Sequence, residues 1–228
     1  MSSEYAYSRP ADPAEYGGGG SSGPNYYDPR ADFDDDDFAG AIEHARSSRR
    51  ALRPKKDDDN DDEDERETSL FAEAISFLKQ NKGRFFPPDK DNGHDIDEGK
   101  MIGAHQALYG SGSGSSGSSG EEGKTHDASS LGMGAALQAL KLFTSGEADN
   151  SQGHSGRSAK DKLIGLAMAQ AGKLWEEQHG SGKVSTDKQS AINAAAEMAL
   201  KMYLKSRGSG HDGTGGPGGL LSLASKFL

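Results

Sequence analysis

The stretch DKDNGHDIDEGK, Asp89 to Lys100, carries enough carboxylates to suggest a calcium loop. In a loop beginning at Asp89, however, glycine falls at position 5 instead of 6 and Lys100 stands where a bidentate glutamate belongs, so the register fails. The acids suit a helix start instead, where the macrodipole favours negative charge. The histidines (His44, His94, His105, His126, His154, His179, His211) include no pair four residues apart and no HExxH, so zinc ligation is not expected. His105 falls on the inner face of its predicted helix beside Tyr109 and is expected to be a core histidine, hydrogen-bonded to backbone or to Tyr109. Serines are abundant but lie mostly in Gly/Ser loops that cannot hold a geometry, and none sits on a strand-to-helix GxSxG elbow. No GxxxxGK[ST] or strand-anchored GxGxxG occurs. No catalytic, cofactor-binding or metal-ligating residue is assigned, and an enzyme is not expected.

Two other groups of residues invite a role. Arg49, Arg50, Arg53, Lys55 and Lys56 form the basic cluster RRALRPKK, a candidate nuclear-import signal. The nine acids among residues 57–67 would repel a phosphate backbone, so nucleic-acid binding is not expected. At the other end, Leu220, Leu221, Leu223, Phe227 and Leu228 form a candidate interaction helix behind a glycine-rich stretch. It is expected to dock as the last helix of a bundle, with undocking to bind a partner or membrane surface as the alternative.

These features must be positioned by a chain whose composition is uneven. Hydrophobic residues make up only 32% and Gly numbers 32, which implies a domain with tails and not one continuous core. Residues 1–67 hold 19 acidic and 9 basic residues while the remainder is balanced, so the net charge of −10 belongs to an arm. An arm of that kind can keep a neutral body soluble. Residues 1–35, rich in Gly, Pro, Tyr and Asp, and the acidic residues 57–67 are expected to be disordered. The absence of cysteine excludes disulfides and thiolate chemistry. No apolar leader, transmembrane-length run or N-x-Ser/Thr sequon is present, and a cytoplasmic site is expected, with the nucleus as the alternative.

The body is expected to be an all-α bundle of five to six helices over residues 68–228, preceded by a short amphipathic helix within 36–56 that Pro54 ends. Its centre is LIGLAMAQAGKLW, Leu163 to Trp175, which is apolar on every side of a helical wheel and too short to span a bilayer, where about 20 residues are needed. Thr68 or Ser69 caps the first body helix, Ser130 the helix to Phe143, and Thr186 the helix bearing Ala191, Ala195 and Ala199. A helix from about Asp95 to Tyr109 turns Ile96, Ile102, His105 and Leu108 or Tyr109 inward, and residues 110–127 form a flexible Gly/Ser loop. Leu163, Leu166, Leu174 and Trp175 are expected core. Gly165 and Gly172, each costing about 1 kcal/mol in a helix interior, are expected to form a notch against the alanine stripe of Ala191, Ala195 and Ala199.

The blocks LFAEAISFL (70–78), AHQALYG (104–110), LGMGAALQALKLFTSG (131–146), IGLAMAQAGKLW (164–175), AAAEMALKMYLKS (194–206) and GGLLSLASKFL (218–228) resemble the fungal beta-flanking protein family. AIEHA (41–45) resembles that family's N-terminal helix. The resemblance implies an all-helical domain and a fungal source, and brings no activity with it. The function expected is therefore a non-catalytic helical interaction or stress-associated protein, presenting a groove to protein partners. The alternatives are a carrier of an apolar small molecule or lipid beside Met168 and Met198, and a nuclear regulator imported through the basic cluster.

Overall fold

The computed structural model describes residues 38–53, 61–85, 96–110, 125–146, 156–208 and 224–225. Their order is α1 (Ala39–Leu52), α2 (Asp61–Gln80), α3 (Lys82–Phe85), α4 (Glu98–Tyr109), α5 (Ala128–Ser145), α6 (Gly156–Gly180) and α7 (Lys188–Gly208). The fold is all-α; among the described residues the only extended pairing is one parallel bridge, His126 with Val184. That bridge ties the segment entering α5 to the turn leaving α6, through His126 N–H to the Lys183 carbonyl (2.8 Å) and Ser185 N–H to the His126 carbonyl (3.0 Å).

α6 is the hub. Every residue from Leu163 to Gly172 is buried, as an all-round apolar helix requires, and α1, α5 and α7 all pack on it. α5 and α7 also pack on each other, α4 lies against α5, and α2 spans α7 and α1. Leu163, Leu166, Leu174, Ala191, Ala195 and Ala199 lie in this core, joined by Ala136, Leu140, Ile192 and Tyr203. Trp175 is only half-buried: it packs on the core from the edge, stacks on His179 with ring centroids 4.2 Å apart, and donates Nε1–H to the Thr186 carbonyl at 2.8 Å.

Several helix starts differ from expectation. The acids of 57–67 were expected to stay disordered, yet Asp61 to Glu67 form the first two turns of α2. Acids at a helix N-terminus are favoured by its dipole, and the arginines of α1 stand opposite them. Thr68 is consequently inside the helix, its hydroxyl donating back to the Asp64 carbonyl at 2.6 Å. For α5 the cap is Asp127, not Ser130. Asp127 accepts the Ser130 N–H at 2.8 Å, and the Ser130 hydroxyl reaches back to the Asp127 backbone N–H at 3.2 Å, a reciprocal capping box. At α7 it is Asp187 that accepts the Ser190 N–H, at 2.8 Å, while Thr186 anchors the tryptophan. α4 begins at Glu98 behind an Asp97 cap, and Met101, unremarked in the sequence, is its most deeply buried residue. Arg53, at the end of α1, is extended (φ −79°, ψ 138°), the conformation a following proline imposes.

The expectations for residues 1–35 and for Lys55, Lys56, Leu220, Leu221, Leu223, Phe227 and Leu228 fall outside the described residues. Of the C-terminal stretch, Ala224 is buried against the core.

Candidate helix-docking site

Among the described side chains of the α1 segment, Phe38, Ala41, Ala45 and Arg49 are buried, and their spacing of three, four and four puts them on one face. That face lies along α6, and the two helices run parallel. Phe38 stands beside Lys160, Gly40 beside Asp161, Ala41 to Ala45 beside Gly165, and Arg49 beside Glu176.

The middle of the contact is backbone on backbone. A methyl group added at Gly165 would sit 2.6 Å from the Ala41 carbonyl oxygen, 2.7 Å from His44 Cβ and 2.9 Å from the Ala45 nitrogen. The expected glycine notch therefore exists, but it admits α1 and not the alanine stripe of α7. Gly172 is no notch: an added methyl would meet only Lys188 Cε at 3.6 Å and Ile192 Cδ1 at 3.9 Å, ordinary contacts. The glycine that does meet the α7 stripe is Gly132 of α5, where an added methyl would lie 2.7 Å from Ala194 Cβ and 2.9 Å from the Ala195 nitrogen.

The contact closes with charge at both ends. At the near end, Lys160, fully buried, places Nζ 4.4 Å from the Phe38 ring centroid. At the far end, Arg49, 4% exposed, donates from Nε to Glu67 Oε1 at 2.8 Å and from Nη2 to Glu176. Glu67 is itself buried and accepts three cations, adding Arg53 at 3.0 Å and Lys188 at 2.8 Å. Lys188 also reaches Glu176 at 2.7 Å, and Arg53 pairs with Asp64 at 2.6 Å. Four helices thus meet in one clasp: α1 gives Arg49 and Arg53, α2 Asp64 and Glu67, α6 Glu176, and α7 Lys188. Burial works against the charge of Arg49, but its hydrogen bonds to Glu176 and Glu67 outweigh that and raise its pKa. Burial likewise opposes ionisation of Glu176, yet hydrogen bonds from Lys188 and Arg49 hold its carboxyl below the ordinary value.

Of the residues read as an import cluster, Arg49 and Arg53 are engaged in this clasp. Arg50 points outward and pairs with Asp64 at 3.1 Å. The sequence did not single out Glu67, Glu176 or Lys188. A signal was present: Arg49 continues the stripe of Phe38, Ala41 and Ala45 by one turn, and a charge on a buried stripe calls for a buried partner.

A second polar group lies between α4, α5 and α6. His105 stacks on Tyr109 with centroids 4.8 Å apart, and its Nε2 is 2.9 Å from Gln138 Oε1. His105 is half-buried and not a core residue, and its hydrogen-bond partner is a side chain of α5 instead of backbone or Tyr109. Tyr109 donates its hydroxyl to the buried Gln170 at 3.3 Å, and burial, with the Glu177 charge nearby, raises its pKa. Among the described residues no group of three His, Asp or Glu is arranged to hold a metal, and no helix is long and apolar enough to cross a membrane.

No curated protein and no solved structure matches the chain. A family model described as a domain of unknown function, DUF7721, matches residues 37–148. The matched stretch ends just after α5, so it includes the docked helix α1 and leaves out α6, which carries the groove, and α7. Over that stretch the chain is similar to a domain of unknown function.

Proposed function

We propose that the protein is a non-catalytic interaction module whose body binds a helix carrying a small-residue stripe that ends in arginine. One observation carries this reading: α1 is held as a helix in a groove, with Ala41 and Ala45 on the Gly165 notch and Arg49 on Glu67 and Glu176. Among the described residues the fully buried apolar side chains of the docked face are Phe38, Ala41 and Ala45, with Ile42 partly buried, and register and charge add to the selection. A labelled peptide of residues 38–53, titrated with the full chain and followed by fluorescence anisotropy, tests it. Saturable binding that an Arg49→Glu peptide loses supports the reading; equal binding of both peptides, or of neither, contradicts it.

The other two readings draw less support. Met168 is fully buried among core side chains, which gives a carrier no particular foothold there. An import signal would need Arg49 and Arg53 released from Glu67. Affiliation with the fungal beta-flanking proteins belongs to the same proposal, resting on the blocks in α5, α6 and α7, and adds no activity.

A further inference from the structure

Every copy of this chain carries both halves of the docking pair, the groove on α6 and the helix that fits it. We propose that the groove of one copy accepts α1 of a second copy, giving a dimer by exchange of that helix. The inference rests on the interaction-module reading and names its partner.

Three features support it. Of the helices packed on α6, α1 shows the fewest buried apolar side chains among the described residues, Phe38, Ala41 and Ala45 with Ile42 partly buried, while α5 and α7 each bury at least six. Elements with few buried apolar contacts open first. All the specific contacts of α1 can be remade in trans without loss: the Gly165 notch, the Lys160–Phe38 contact and the Arg49 and Arg53 pairs with Glu67 and Glu176. The residues beyond 67 also balance in charge, so the net repulsion between two copies comes from residues 1–67 alone. Since exchange creates no contact that cis docking lacks, cis docking wins by effective concentration alone. For a short tether that concentration is in the millimolar range, so exchange becomes extensive at about 1 mM.

The geometry also supplies the lock that tests it. A Cβ added at Gly40 would lie 3.3 Å from Asp161 Cβ, close to the 3.5–4.5 Å of disulfides, in a chain that has no cysteine of its own. Full-length wild-type chains bearing two different tags are mixed at about 1 mM, diluted, and captured at once through one tag. The same is done with Gly40→Cys/Asp161→Cys chains, oxidised beforehand as monomers or kept reduced. The expected result is recovery of the second tag from wild type and reduced variant, and its loss from the oxidised variant. Equal recovery from the oxidised chains, or none from wild type, overturns the exchange. The labelled 38–53 peptide separates the two claims on the same samples. If it binds reduced but not oxidised chains while no exchange occurs, the interaction-module reading stands alone; if it binds neither, both fall.

Discussion

α5 and α7 pack on α6 within a shared apolar core that buries Leu140, Ile192 and Leu200; where α6 meets α1, the contact centres on a glycine notch between two charged clamps. The first kind of interface takes its stability from area removed from water, roughly 25 cal/mol per Å², and tolerates some change of side-chain shape. The second takes its register from close backbone approach and from paired charges. Such pairs contribute little net stability, because bringing them out of water offsets most of their attraction, but removing one partner is costly. α5, α6 and α7 therefore supply most of the core, while α1 adds Phe38, Ala41 and Ala45 to it and is fitted by close backbone approach and charge.

Substitutions can break this contrast in graded ways. Leu163→Ala should cost about 2–5 kcal/mol and lower the melting of every helix together, measured by urea unfolding with circular dichroism. Glu67→Ala leaves buried Arg49 with Glu176 alone and should cost about 3 kcal/mol. Hydrogen exchange should place the loss first in α1 and the start of α2, and uniform loss across α5 to α7 would count against the distinction. Gly165→Ala forces α1 outward and should cost about 1–3 kcal/mol. Gly172→Ala, seven residues along the same helix with ordinary space for a methyl, should instead gain about 0.5–1 kcal/mol. A matched pair of melting curves checks the sign of each.

Acid should act on the clasp as well. Glu176 has a folded-state pKa below its ordinary 4.5, so its contribution is full above that value and is lost as pH falls through the folded pKa. The helix caps Asp127 and Asp187 are lowered in the same direction by their bonds to Ser130 and Ser190. Stability should thus decline from about pH 5 downward, and Glu176→Gln should make that decline shallower. Arg50→Ala, which removes an exposed pair with Asp64, is expected to leave melting unchanged.

The body was legible in the sequence because its signal is local. Apolarity on every side of Leu163 to Trp175 marks a buried helix whatever packs on it, and the alanine stripe of α7 marks a close approach. What a close approach meets is not local. Gly165 advertises a notch but not its occupant, and the occupant is α1, more than a hundred residues upstream. The clasp was hidden for the same reason: Arg49 pairs with residues 18 and 127 positions away, while locally it belongs to a basic run beside an acidic one. Read as neighbours, those runs neutralise each other in solvent; folded, Glu67 becomes the buried centre of three cations. Helix starts shifted by short-range competition, as where Asp127 takes the cap and Ser130 serves as its reciprocal partner.

Native-state hydrogen exchange of the full chain, resolved to α1 and α6, tests the central claim most directly. The account predicts that α1 amides exchange through an opening of lower free energy than those of α6, and that Glu67→Ala lowers the α1 value while leaving Leu163 to Ala171 protected. If α1 and α6 exchange with one common free energy in the wild-type chain, α1 is part of the body and not a helix docked upon it.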